Sequence, residues 1–311
     1  MRGGGAVLTM YYEGTDITDY VNITKCVHRD ASCGQADLLD MELDNAATWY
    51  QWGPKADDEI IVTRDGYSTG KLYLNSLRPE GDHFRLIASS MPTGAKRQAW
   101  AGYTNETLES IAHLMATECG MTEQLYGIDG ELRYGFLLRR WEGCAAFLDR
   151  IGQWEGLAIK AVNGRFRAVS VAWAQEREPE RTLWLDTSTE GVTYLCQREN
   201  RWAGLMIFAP GIEVAAKDSR VESGYQKPIA LPARSEAEAG RWARGLLMMN
   251  NRKAERLTVK TEFDPTMTAL NRMDVEGTEA ISGQWIVDSV QHDMKNGATE
   301  AEMLRCIHSI E

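Results

Sequence analysis

The hydrophobic period of this chain changes from two to 3.6 and then back to two, and this change constrains the fold more than any other feature. Residues 39–44 alternate between apolar side chains and carboxylates, which predicts a strand with one apolar and one acidic face. Phe84, Leu86 and Ala88 likewise fall on one face of a strand, with Arg85 and Ile87 on the other, and turn-forming clusters such as Asp65-Gly66 separate the strands. Short strands at this spacing predict a β-barrel or a β-sandwich over residues 1–95.

Residues 96–172 form a predicted α/β insert. Its first helix has apolar residues at positions 108, 111, 112 and 115, which lie on one face at helical spacing. Asn105 and Thr107 are both possible N-caps, and Gly120 supplies the left-handed stop.

The insert also contains a second predicted helix and a hairpin. This helix begins near Trp141 and stops at Gly156, although Gly152 lies inside it, where a better helix former is expected. Asn163-Gly164 then predicts a two-residue turn between two strands.

Strand patterns return after Pro179 and continue to the end of the chain. One helix interrupts them, predicted over 235–250, where Ser235 and Glu238 have the spacing of a capping box. The fold class predicted is therefore α+β and mainly β. A second β-rich domain spans 173–311, and strands from 173–190 are expected to complete the first one.

The net charge and the cysteine pattern limit the classes of function that this chain can have. Lys and Arg number 34 against 45 Asp and Glu, giving a net charge of −11, which opposes specific nucleic-acid binding and adhesion to anionic lipid. No apolar stretch reaches the ~20 residues of a membrane span, and the early run Ala6–Tyr12 is shorter than a signal-peptide core. We expect a protein folded in the cytoplasm, with all six cysteines as thiols.

Two catalytic motifs match but lack their structural context. Gly66–Gly70 fits the G-x-S-x-G elbow and Ser68–Lys71 fits S-x-x-K, yet the elbow needs a following helix and residues 71–77 alternate like a strand. A hairpin is the simpler interpretation. Cys26 and His28 offer two metal ligands where a closed zinc site needs four, and no glycine-rich phosphate loop occurs. We therefore expect no catalytic residue, no metal and no cofactor.

Two other groups of residues are candidate binding surfaces. Trp49, Trp52 and Trp100 could stack on sugars, as in a carbohydrate-binding module, although tryptophan more often belongs to a core or an interface. The segment 234–256 is the most basic part of the chain. Such a segment is either a solvated helix face or a contact for an acidic partner. The candidate residues for a partner contact are Arg241, Arg244, Arg252 and Lys253.

The order of these segments resembles the phage late control protein D family, the hub proteins of contractile tails. Seven stretches carry the resemblance: Gly14–Thr18, Ala36–Asp44, Thr107–Ala112 with Glu118–Met121 behind it, Ser235–Ala239, Ile281–His292 and Glu300–Ile307. Each stretch is an alternating strand or a capped helix, which many proteins contain. The resemblance therefore rests on the order and spacing of the stretches.

The resemblance implies a structural protein rather than an enzyme. Each subunit would supply two similar antiparallel β-barrels, tail-tube-like in form, so that a homotrimer makes a ring of six barrels. Such a ring adapts the six-fold tail tube, or a tube-initiator protein, to the three-fold central spike, beside other baseplate proteins. Assembly would occur in the bacterial cytoplasm, and the product would be a virion tail baseplate or a released phage-tail-like particle.

Two further expectations follow from a ring. The carboxylates Asp40, Glu42 and Asp44 are candidates for an acidic lumen wall, with a solvated exterior face as the alternative. The alternative function is a tail-associated cell-wall hydrolase. The barrels and the insert already account for the whole chain, which leaves no segment for a separate lytic domain.

Overall fold

The computed structural model describes residues 8–81, 83–222, 224 and 226–311. The first seven residues of the predicted first domain, including Ala6 of the early apolar run, lie outside the described residues. The N-terminal part consists of eight strands and one short helix: β1 (Leu8–Tyr12), β2 (Thr15–Asp16), β3 (Asn22–Ala31), β4 (Leu38–Asp44), α1 (Ala47–Tyr50), β5 (Glu59–Arg64), β6 (Tyr67–Ser68), β7 (Leu72–Glu80) and β8 (His83–Ser89).

The central part mixes helices and short strands. Its elements are β9 (Ala99–Tyr103), β10 (Glu106–Thr107), α2 (Leu108–Glu118), β11 (Thr122–Tyr126), β12 (Arg133–Tyr134), β13 (Leu137–Glu142), α3 (Cys144–Glu155), β14 (Leu157–Val162), β15 (Arg165–Ser170) and α4 (Val171–Glu176). Strands β11, β15 and β14 form a three-stranded sheet, and β9 pairs with β13.

The C-terminal part returns to strands. Its elements are β16 (Arg181–Leu185), β17 (Val192–Cys196), β18 (Gly204–Ala209), β19 (Ile212–Lys217), β20 (Gln226–Ala230), α5 (Glu236–Asn251), β21 (Glu255–Glu262), β22 (Arg272–Gly277), β23 (Gly283–Asp293) and β24 (Ala298–Arg305). No helix in the described part of the chain is long and apolar enough to span a membrane.

The mainly-β fold class is confirmed, but the two closed barrels are not. In the described residues, 14 strands form one sheet with the principal order β17-β21-β24-β23-β3-β4-β8-β7-β5-β1-β2. Its two halves meet where β23 pairs antiparallel with β3, with Val290 opposite Asp30. Alternation along a strand predicts which face is buried, but it carries no information about which strand lies alongside.

The strand expected to complete the first β-domain belongs elsewhere. Strand β16 runs parallel to β22, with Leu183 opposite Val275, so it extends the C-terminal half of the sheet. The prediction that residues 173–190 complete the N-terminal half is wrong in this respect. A parallel pair needs a long crossover connection, which leaves no local signal in the sequence.

Three main hydrophobic cores organise the chain. One lies under the N-terminal strands and another under the C-terminal strands of the large sheet. The third belongs to the central part, and it also contains Leu205, Trp242 and Leu247 from β18 and α5. Strand β18 and helix α5, predicted within the second β-domain, therefore pack into the core of the insert. The domain boundaries at 95 and 172 remain a prediction.

The local helix signals are confirmed. The Thr107 side chain accepts a hydrogen bond from the Ser110 N–H at the start of α2. Gly156 ends α3 in the left-handed conformation, with φ +70°. Gly152 is explained by a close approach, because a Cβ there would lie 2.6 Å from the Ile159 side chain.

The prediction of six free thiols is wrong for one pair. Cys119 and Cys144 form a disulfide, whereas the four other cysteines are free. Cys119 is the C-cap of α2 and Cys144 is the first residue of α3. Packing of the two helices brings these residues together, and their separation of 25 residues in the sequence gives no sign of it.

Candidate interaction surfaces

The acidic face of β4 is largely matched by basic groups on its neighbours. Lys25 on β3 donates to Asp40 at 2.8 Å and lies 3.6 Å from Glu42. Arg85 on β8 donates to Asp40 at 3.3 Å, and the His83 ring contacts Asp44. Partial burial acts to raise the pKa of Asp40, but the hydrogen bonds from Lys25 and Arg85 outweigh it and lower that pKa. The face therefore carries less net negative charge than the sequence of β4 suggests.

The four basic candidates do not form one exposed patch. Arg241 is half-buried, with its Nε 3.3 Å from a Glu155 carboxylate oxygen. The Arg252 side chain is 1% exposed and its guanidinium donates to Asp288 at 2.7 Å. The prediction that Arg252 contacts a partner is therefore wrong for this conformation, because a buried cation is held by its ion pair. Arg244 and Lys253 are exposed and remain candidates.

The G-x-S-x-G stretch is a hairpin, as the strand pattern predicted. Asp65 and Gly66 have φ values of +47° and +84° in the turn between β5 and β6, and a strand follows. Ser68 Oγ accepts a hydrogen bond from the Gly70 N–H at 3.1 Å. His28, which lines the same cavity as Ser68, bonds through Nδ1 to the Tyr67 hydroxyl at 2.7 Å instead. A strand and a turn precede Ser68, but a strand follows in place of the helix that an activated serine requires.

The three candidate tryptophans lie in different environments. Trp49 is fully buried in the N-terminal core. Trp52 is 46% exposed and packs edge-on against Tyr20, and Trp100 is 63% exposed on β9. Trp49, Trp52 and Trp100 therefore do not form one stacking platform for a sugar.

One cavity lies where the N-terminal strands meet the central part and the loop before β22. It has a volume of about 360 Å³ and is lined by His28, Asp30, Asp37 and Lys160, among others. Sequence reasoning missed this cluster. The sequence feature that could have indicated it is Lys160, a lysine in the middle of the otherwise uncharged strand β14. Among the described residues, no group of three or more His, Cys, Asp or Glu side chains is arranged to hold a metal ion.

Burial sets the ionisation of this cluster. It lowers the pKa of Lys160 to about 7 and raises the pKa of Asp37 to about 7, because a charged group loses its hydration there. Burial also lowers the pKa of His28 to about 3, and the Nε2 of that ring has no hydrogen-bond partner. Burial therefore favours the neutral form of each of these three groups.

The fold is that of phage tail proteins. No family model and no curated protein matches the chain. A tail protein from Neisseria meningitidis MC58 superposes with a TM-score of 0.75 at 14% identity, covering 97% of each chain. The 43 kDa tail protein of prophage MuSo2 from Shewanella oneidensis gives 0.73 at 13% identity, covering 97% of this chain and 98% of that one.

A secretion-system protein has the same fold. The E. coli c3393 protein, a component of the type VI secretion system with similarity to the T4 bacteriophage tail proteins gp27 and gp5, superposes with a TM-score of 0.56. The identity is 10%, and the match covers 96% of this chain and 77% of that one. At such identities the likeness establishes the fold, and function has to be argued separately.

Proposed function

We propose that this chain is a structural hub protein of the baseplate in a phage tail or a related contractile injection system. The observation that carries the proposal is the likeness to tail proteins over 97% of the chain. Within this class we assign it to the late control protein D type of hub. In that role three copies form a ring that adapts the six-fold tube to the three-fold spike, and the ring is assembled in the cytoplasm before it enters the virion.

Exposed apolar residues on strand edges support an oligomer. Trp184 on β16 is 76% exposed and Leu195 on β17 is 44% exposed. In the described chain, β16 pairs only with β22 and β17 only with β21, so each leaves one edge without a partner strand. Open edges that carry large apolar side chains are characteristic of surfaces that another chain covers.

Light scattering coupled to size-exclusion chromatography tests the homotrimer. The wild-type chain should elute as a trimer at micromolar concentration. Leu195→Lys should shift the population toward monomer without changing the circular dichroism spectrum, because it places a charge on the proposed contact. Leu114→Lys is the matched control, since Leu114 is 45% exposed on α2, away from the large sheet. A wild-type monomer that binds neither tube nor spike protein would count against the hub.

The partner surfaces need a second experiment. Tube or tube-initiator protein and spike protein from the same gene neighbourhood should each be retained by the immobilised trimer. Paired neutralisation of Arg244 and Lys253 should weaken one of these contacts if that exposed basic surface binds an acidic partner. Neutralising Asp40, Glu42 and Asp44 should leave both contacts intact if those residues line the lumen.

The hub role as proposed is non-enzymatic. The hydrogen bonds of Ser68 and His28 favour a structural hairpin over an activated nucleophile. Peptidoglycan incubated with the purified trimer should therefore stay intact. Turnover that disappears in Ser68→Ala would establish the cell-wall hydrolase in its place.

A further inference from the structure

Three buried ionisable side chains meet at the junction of the large sheet and the central part. Asp30 lies on β3, Asp37 lies just before β4 and Lys160 lies on β14, and their exposed fractions are 6%, 2% and 7%. Lys160 Nζ donates to Asp30 Oδ1, to Asp37 Oδ1 at 3.2 Å and to the Ala31 carbonyl at 3.1 Å. One amine is thus held between two carboxyl groups, away from bulk water.

This setting favours the neutral forms of the groups. Burying an isolated charge is costly, and an amine beside a carboxylate can escape the cost by transferring a proton. The low pKa of Lys160 and the high pKa of Asp37, both near 7, are consistent with such a transfer. A neutral amine has a free electron pair and is a nucleophile, whereas an ammonium group is not.

Both oxygens of the Asp30 carboxyl group are held by hydrogen bonds. Its Oδ2 accepts a hydrogen bond from the Ala269 N–H at 2.9 Å, while its Oδ1 faces Lys160. A backbone N–H fixed in this way stabilises negative charge that develops on Oδ2 when the carboxyl carbon becomes tetrahedral. The same amine–carboxyl contact on the surface would be an ordinary ion pair, because water would keep both groups charged.

We propose that Lys160 and Asp30 condense to form an intramolecular isopeptide bond, with Asp37 as the group that transfers protons. A proton first moves from the ammonium group to Asp30 Oδ1. The Nζ electron pair then attacks Asp30 Cγ, and negative charge collects on Oδ2. The neutral carboxyl group of Asp37 gives its proton to Oδ1 of Asp30 and accepts a proton from the nitrogen on its other oxygen, so it ends in the form in which it began. Oδ1 of Asp30 leaves as water while the Cγ–Oδ2 double bond reforms.

The reaction is balanced without any other reagent. One ammonium and one carboxylate become one amide and one water molecule, with no change of oxidation state. The three residues line the cavity of about 360 Å³, which gives the water a route out. The bond joins residues 130 positions apart and ties β3 of the large sheet to β14 of the central part.

Mass spectrometry of the purified full chain tests the proposal. The sample is first reduced and denatured, so that the Cys119–Cys144 disulfide does not contribute its own mass difference. The intact mass should be lower than the sequence mass by one water molecule. A tryptic digest should contain a branched peptide whose fragmentation places the link between Asp30 and Lys160.

Variants assign the roles. Lys160→Arg and Asp30→Ala should each have the full sequence mass, because one reactant is missing. Asp30→Asn should give the same linked product as the wild type by losing ammonia. Asp37→Asn retains both reactants and should form the link about a hundredfold more slowly or worse, as for loss of a general acid–base. Lys25→Arg is the control, because its ion pair with Asp40 is exposed, and its linked fraction should match the wild type.

Three results would overturn the proposal. These are a folded wild-type chain at full mass, a loss of water without a branched peptide, and a branched peptide linked at Asp37. The first result means that the cluster is only an ion pair. The second means that an aspartate has cyclised on its own backbone. The wild-type mass decides the main question by itself, so a variant that fails to fold does not weaken the test.

Discussion

Arg139 on β13 holds together three segments of the central part, and its removal provides a quantitative test of the fold. The side chain is 1% exposed. Its guanidinium makes two hydrogen bonds to the Glu118 carboxylate on α2, at 2.6 and 3.1 Å. It also donates to the Glu142 carbonyl at 2.8 Å and to the Arg97 carbonyl at 3.0 Å.

Arg139→Ala should lower the free energy of opening this region by about 3 kcal/mol. Breaking a buried ion pair costs roughly 3–5 kcal/mol, and the lower end applies because Glu118 is 28% exposed and can regain water. Arg139→Lys should lose roughly half as much, since an ammonium group keeps the charge but cannot make the paired contact. Arg140→Ala, at the exposed neighbouring position, should change the free energy by less than about 0.5 kcal/mol.

Native-state hydrogen exchange of the α2 amides is the appropriate measurement. The chain has several cores that need not open together, so a single unfolding midpoint would mix their contributions. Arg139→Ala should speed the exchange of α2 amides by about a hundredfold, which is the kinetic equivalent of 3 kcal/mol. Equal exchange rates in Arg139→Ala and Arg140→Ala would refute the assignment of Arg139 as the tie between these segments.

Two further predictions concern close packing and pH. Gly245→Ala should lower the melting temperature, because the added Cβ would lie 2.1 Å from a backbone carbonyl oxygen at the end of α3. Gly240→Ala is the control and should not lower it, because the nearest atom to its added Cβ is 3.6 Å away. Burial lowers the pKa of His28 to about 3 and that of His292 to about 4, so the unfolded chain binds protons that the folded chain rejects. The contribution of these histidines to stability should therefore fall as the pH drops from about 6.5 toward those values, whereas the raised pKa of Asp37 acts in the opposite direction. The melting temperature of His28→Phe should accordingly fall less than that of the wild type over this range.

The sequence predicted those features whose causes are local. The cap at Thr107, the stop at Gly156 and the turn at Asn163-Gly164 depend on backbone conformations that a few adjacent residues determine. Pairing of β23 with β3 depends on residues more than 250 positions apart, such as Val290 and Asp30. Nothing in either strand identifies its neighbour, so an open sheet of 14 strands could not be distinguished from two barrels.

The same difference between local and distant causes explains which predicted surface residues are exposed in the structure. A run of basic residues predicts an exposed surface. At the end of α5, however, the Arg252 side chain points inward and donates a hydrogen bond to Asp288. Lys160 was detectable as a charge within a buried strand, and a buried lysine has to find a partner. Its partners are Asp30 on β3 and Asp37 just before β4, more than 120 positions away in the sequence. The sequence therefore indicated that a site exists without indicating which residues complete it.

Strand β3 is where the three main parts of this chain meet. It pairs with β4 on one side and with β23 on the other, which joins the N-terminal and C-terminal halves of the large sheet. The side chain of Asp30 on the same strand reaches Lys160 of the central part. The hydrogen bonds of a strand pair open one after another under load, whereas an amide bond does not open on that timescale. A covalent tie at Asp30 would therefore make β3 the element through which this chain passes force between all three cores.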